Sequence, residues 1–123
     1  MYNRTFVLEK LENILKSLQH IPRRFAGIEV PSDFRKDNKG VDRLDGICMS
    51  LIAVGEAFKR IDEKTKGELF KNYPEIEWRG VMGVRDVIAH GYFDVDVEQV
   101  FDICQHDIPE LISVVERMLG DLK

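Results

Sequence analysis

The stretch VDRLDGICMSLIAVGEAFKRI, residues 41–61, decides the fold. Val41, Leu44, Cys48, Leu51, Gly55 and Phe58 alternate three and four residues apart, and Ile47, Val54 and Ile61 flank that seam. This is the period of an α-helix, and an apolar stripe so wide suits a central helix covered by more than one neighbour. Gly55 in its middle costs about 1 kcal/mol relative to alanine, so its presence predicts a close helix–helix approach there.

The same period recurs on both sides. Val7, Leu11, Ile14, Leu15 and Leu18 predict an amphipathic helix over residues 3–20, ended before Pro22 because a residue preceding proline avoids the helical region. Residues 22–40 carry two prolines, two glycines and many charges and read as a loop, with a turn of helix begun at Ser32-Asp33. Residues 64–74 form a short amphipathic turn anchored by Leu69, Phe70 and Tyr73. A further helix follows over residues 77–90, with Trp78, Val81, Met82, Arg85, Ile88 and Ala89 on one stripe and Gly91 just past its end. The last helix opens on the capping pair Asp96 and Gln99. Pro109 should bend it by blocking the bond to the Gln105 carbonyl, with Asp107 and Glu110 recapping its second half. No stretch alternates with period two for long enough to make a strand, so the fold class is all-α, a bundle of four main helices.

The 123 residues make one domain, residues 1–123, large enough for a core without staples. Apolar residues make up 44% and charged residues 33%, which excludes wholesale disorder. No apolar run approaches the ~20 residues of a membrane span, and the mixed N-terminus lacks a signal-peptide core, so a cytoplasmic location is expected. Cys48 and Cys104 have no Cys-x-x-Cys spacing; zinc and a disulfide framework are both disfavoured, and the two thiols read as small core residues. Charge is uneven. Residues 1–43 carry a balance of +3, residues 44–93 of −1 and residues 94–123 of −6, so a polyanion would be repelled by the last helix. A nucleic acid would approach the faces carrying Arg23, Arg24, Arg35, Lys36, Lys39, Lys59, Arg60 and Arg79.

Residues 85–92, RDVIAHGY, concentrate a fixed cation, a carboxylate, an imidazole and a phenol. Arg85 shares a stripe with Met82 and Ala89, where an unpaired guanidinium is costly to bury. A carboxylate from a neighbouring helix, a wet groove or a ligand phosphate must satisfy it. Asp86 and His90 stand four apart, so on a helix the carboxylate would fix the imidazole's tautomer and raise its proton affinity, as a general acid/base requires. The same pairing also serves as a plain helix C-terminal stabiliser. Arg85 and His90 point roughly 140° apart on a straight helix. Either the last turn unwinds near Gly91, or the site combines residues from two copies of the chain. His20 and His106 read as incidental.

Arg85-x4-His90-x-Tyr92, followed by Phe93-Asp94-Val95-Asp96, resembles the signature of HepT-type toxins of the HEPN superfamily. The resemblance extends to Val54-Gly55-Glu56-Ala57, to Tyr73-Pro74-Glu75-Ile76 with Trp78-Arg79, and to Asp107-Ile108-Pro109. It implies an antiparallel HEPN-like four-helix bundle with a short extra helix, paired as a two-fold homodimer whose Arg85 and His90 copies line a shared cleft. It implies metal-independent cleavage of RNA by that catalytic pair, with Asp86 as the supporting polar residue and no cofactor. It also implies a type VII-like toxin–antitoxin pair, in which a nucleotidyltransferase antitoxin adenylylates Tyr92. Glu56 belongs to a recurring block without an assigned role. The competing reading is a non-catalytic helical accessory subunit of a nucleotidyltransferase, with Arg85 on a phosphate or an interface carboxylate and His90 structural.

Overall fold

The computed structural model describes residues 2–88 and 94–123, and among these the chain is helical with no strand. The described residues form four helical arms. The first is α1, Arg4–Phe25, capped by the Asn3 carboxamide, which accepts from the Phe6 N–H at 3.0 Å. Its stripe of Val7, Leu11, Ile14 and Leu18 is buried as the spacing predicts, but α1 does not stop before Pro22. Pro22 lies inside it. The apolar period runs on through Ile21, which is fully buried, to Phe25, whose ring meets those of Phe34 and Phe101. Burying one such side chain is worth roughly 1.5–3 kcal/mol, comparable with the ~3 kcal/mol a proline costs inside a helix. Packing therefore overrides the local preference. Gly27, at φ +88°, then turns the chain out of the helix line.

Pro31–Phe34 form a 3₁₀ turn at the place where the sequence suggests a helical turn. The Asp33 carboxylate accepts from the backbone N–H groups of Glu29 and Val30, which hold its pKa below the usual range. Phe34 enters the core. Asp37 caps the second arm, α2, Asn38–Lys64, by accepting from the Gly40 N–H at 2.8 Å. α2 packs on α1, on the 3₁₀ turn and on the short helices α3 (Trp78–Met82) and α4 (Val84–Ile88), which explains its broad stripe. The approach expected at Gly55 is present. A Cβ there would lie 2.7 Å from the Val81 carbonyl oxygen and 3.1 Å from Val84 Cγ1.

Leu69, Phe70 and Tyr73 are buried anchors as the sequence indicates, around a 3₁₀ turn at Phe70–Asn72. The Phe58, Phe70 and Trp78 rings pack together, and the Trp78 indole N–H donates to the Tyr73 carbonyl at 2.8 Å. The third arm differs from the single helix expected over residues 77–90. It breaks at Gly83 into α3 and α4, glycine being the poorest helix former after proline. Past the break, Val84 and Ile88 are the buried residues and Arg85 faces outward. The predicted stripe through Arg85 is thereby corrected, and no guanidinium has to be buried.

The fourth arm joins α5, Val97–Asp102, to α6, Ile108–Leu122. Asp96 caps α5, accepting from the Glu98 and Gln99 N–H groups at 3.1 Å each. Between the two helices, Ile103–Asp107 form a π turn, in which the Ile108 N–H reaches the Ile103 carbonyl. One extra residue in the turn changes the register ahead of Pro109, so the missing N–H is absorbed without the recapping expected from Asp107, which makes no side-chain cap bond. α6 packs on α1, and the Arg4 guanidinium donates to the Leu122 carbonyl, setting the start of α1 against the end of α6.

Two outcomes follow from this packing. Gly55→Ala should destabilise the fold by about 1–3 kcal/mol in chemical denaturation, because its methyl meets backbone rather than a movable side chain. The Tyr73 phenol, pushed up to about 12 by burial and by its 2.8 Å hydrogen bond to Asp121, stays protonated in the folded chain after the unfolded phenol has ionised. Stability from this group is therefore complete below pH 10 and lost towards pH 12, and Tyr73→Phe should flatten the fall in denaturation midpoint across that window.

Candidate functional site

Of the four residues singled out by the sequence, Arg85 and Asp86 are described, both on α4; His90 and Tyr92, with Gly91, lie outside the described residues. α4 has only five residues and is held by its two buried members, Val84 and Ile88. Val84 packs on the Gly55 contact, so α2 fixes where α4 lies. Arg85, Asp86 and Val87 then point to solvent, the Arg85 side chain being 68% exposed.

Although its exposure removes the need for a partner, the Arg85 guanidinium has a carboxylate from a neighbouring helix beside it. Its Nη1 lies 4.0 Å from Oε2 of Glu56, which leaves α2 one residue after Gly55 and is 67% exposed. Sequence reasoning gave Glu56 no role. Its signal was its place beside Gly55, a glycine that lets another helix approach. Asp86 has no ion-pair partner among the described residues; its backbone N–H donates to the Gly83 carbonyl at 3.0 Å.

Beyond Ile88 the described chain resumes at Asp94, and the two flanks are tied together. The Asp96 N–H donates to the Ile88 carbonyl at 2.8 Å, and the Arg35 guanidinium donates to the Val95 carbonyl at 2.8 Å. Arg35, placed by the sequence only among general basic residues, therefore braces the stem that carries the motif, from the segment just after the 3₁₀ turn.

The other candidates fall elsewhere. His20 Nδ1 lies 3.2 Å from the Arg23 guanidinium within α1, and His106 Nε2 lies 3.6 Å from Asp102 on an exposed face. Burial pushes the Cys48 thiol up to about 11 and the Cys104 thiol to about 12, so neither is a thiolate nucleophile near neutral pH. A cavity of about 340 Å³ opens among Leu18, Leu51, Val54, Val81, Val84 and Leu111. Its polar rim is Glu75, Glu77, Asp107 and Glu110, and burial raises the Asp107 pKa. Glu75 is paired with the Arg117 guanidinium, and the other three carboxylates disfavour phosphate there. On the open side of α4, the exposed Arg85 guanidinium is a planar donor of the kind that suits a phosphodiester.

Known proteins are similar to this chain over most of its length. A family model described as Ribonuclease HepT-like matches residues 8–118. A Methanocaldococcus jannaschii protein named "Putative RNase MJ0127" is 28% identical over 120 residues, covering 98% of this chain and 89% of its own. One from Caldanaerobacter subterraneus subsp. tengcongensis, "Putative RNase TTE0752", is 29% identical over 109 residues, 89% of this chain and 90% of its own. The Thermococcus cleftensis "Probable ribonuclease HepT" is 35% identical over 72 residues, 58% of this chain and 62% of its own. No solved structure matches. With an all-α fold, Arg85 presented on an open face and a family match spanning all four helical arms, the chain belongs to the HepT-like family of ribonucleases.

Proposed function

We propose that this ribonuclease is a metal-independent RNA endonuclease in which Arg85 and His90 are the catalytic pair. The observation that carries the reading is the break at Gly83, which turns Arg85 out of the helix stripe and leaves its guanidinium open beside the motif stem. RNA brings its own nucleophile, the 2′-hydroxyl. A protein that removes that proton and neutralises the phosphorane needs no metal for the step. His90 takes the proton as general base, a contribution of about 10²–10⁴-fold. Arg85 meets the developing charge on the phosphoryl oxygens with a planar, permanently charged fork of donors. Asp86 supports the polar surroundings of the pair.

Two copies of the chain form a two-fold dimer in this reading, so that each cleft draws on both copies of the motif and the divergence expected of Arg85 and His90 on one helix is overcome. The dimer acts in the cytoplasm as the toxin of a toxin–antitoxin pair. Its antitoxin is a nucleotidyltransferase that uses ATP on its own metal site. The Tyr92 oxygen attacks the α-phosphorus of ATP, pyrophosphate leaves, and the phenolic proton passes to solvent. The adenylyl group adds bulk and negative charge two residues from His90, which obstructs and repels RNA.

Expression without the antitoxin should arrest growth, and His90→Ala or Arg85→Ala should relieve the arrest with the melting temperature unchanged. On purified protein, Arg85→Ala should lower RNA cleavage in the presence of EDTA by about 10²–10³-fold, the scale of losing one preorganised donor to a developing oxyanion. Harmless expression and no cleavage by the wild-type chain would instead favour the accessory-subunit reading. Co-expression with the neighbouring nucleotidyltransferase should add the mass of one or more adenylyl groups, an increment absent from Tyr92→Phe.

A further inference from the structure

We propose that Glu56 is a positioning residue for Arg85, an inference that rests on the ribonuclease reading above. Its geometry is built by the fold. α2 makes its close approach to the α3–α4 junction at Gly55, where a Cβ would stand 2.7 Å from the Val81 carbonyl oxygen. The next side chain, Glu56, emerges at the edge of that contact and places Oε2 4.0 Å from Arg85 Nη1. The two residues come from different arms, 29 positions apart in the chain. The glycine that fixes the helix crossing therefore also fixes the carboxylate that meets the arginine.

A contribution to stability does not account for the pair. Both side chains are about two-thirds exposed, and such surface pairs add little to folding. Catalysis makes a different demand, because a long side chain free to sample many rotamers is a poor receiver of developing charge. The carboxylate faces Nη1. Of the five N–H donors on a guanidinium fork, those on Nε and Nη2 form the opposite edge, and that edge can meet two phosphoryl oxygens together. Glu56 thus holds one edge of the fork and turns the other towards the phosphodiester. The opposite possibility, a carboxylate that competes with phosphate for the cation, predicts the reverse kinetics.

The test uses the full chain purified without its nucleotidyltransferase and a mixed-sequence single-stranded RNA oligonucleotide carrying a fluorophore and a quencher. Glu56→Gln should lower kcat about tenfold, as misplacing a catalytic group does, with KM within about twofold of wild type and an unchanged melting temperature. In an Arg85→Lys background, where no fork remains to be aimed, the same substitution should have less than a twofold effect. An unchanged kcat in Glu56→Gln, a raised kcat with lowered KM, or an equal loss in both backgrounds would overturn the role of Glu56 while leaving the nuclease reading standing. Absence of cleavage by the wild-type chain would overturn both.

Discussion

The contact between α2 and the α3–α4 junction organises most of what is functional in this molecule. Gly55 removes the side chain that would hold the two arms apart, and Val84 fills the space beside it. Because α4 is a single short turn anchored by Val84 and Ile88, its position is borrowed from α2 rather than intrinsic. The direction in which Arg85 leaves the surface follows from that borrowed position, as does its proximity to Glu56. A helix of five residues can serve as part of a site because a 27-residue helix holds it.

The core was legible in the sequence wherever apolar period and burial agree. The stripes of α1 and α2, the anchors Leu69, Phe70 and Tyr73, the Asp96 cap and the meaning of Gly55 all follow from spacing and capping chemistry. Local rules failed at the two prolines and at Gly83. Pro22 obeys the core, since Ile21 and Phe25 on either side of it are committed to packing, and a helix stop there would expose both. Pro109 is accommodated by a π turn, which no apolar pattern announces. At Gly83 the pattern fits either Val84 or Arg85 as the inward residue, and only the tertiary contact at Gly55 chooses. The site shows the same division: residue identities were readable as a motif, whereas Glu56 and Arg35 join it through contacts 29 and 60 residues apart, which one-dimensional spacing does not display.

Electrostatics separate the two concave or open surfaces of the fold. The apolar cavity is edged by four carboxylates from the third and fourth arms, and the strongly acidic C-terminal quarter of the chain adds to that field. On the other side Arg85 is exposed on α4, with the carboxylates Glu56 and Asp86 as its described charged neighbours. The overall net charge of −4 is unevenly placed, with −6 carried by residues 94–123.

The π turn at Ile103–Asp107 sets the phase of the fourth arm. One residue added to a helix rotates everything beyond it by about 100°, so α5 and α6 are two segments geared out of step with each other. The offset lets the Asp96 end address the motif stem through Ile88 while the Ile108–Leu122 stripe stays meshed with α1. Deleting a single residue from that turn would restore a uniform winding and, in doing so, twist one of those two engagements out of alignment.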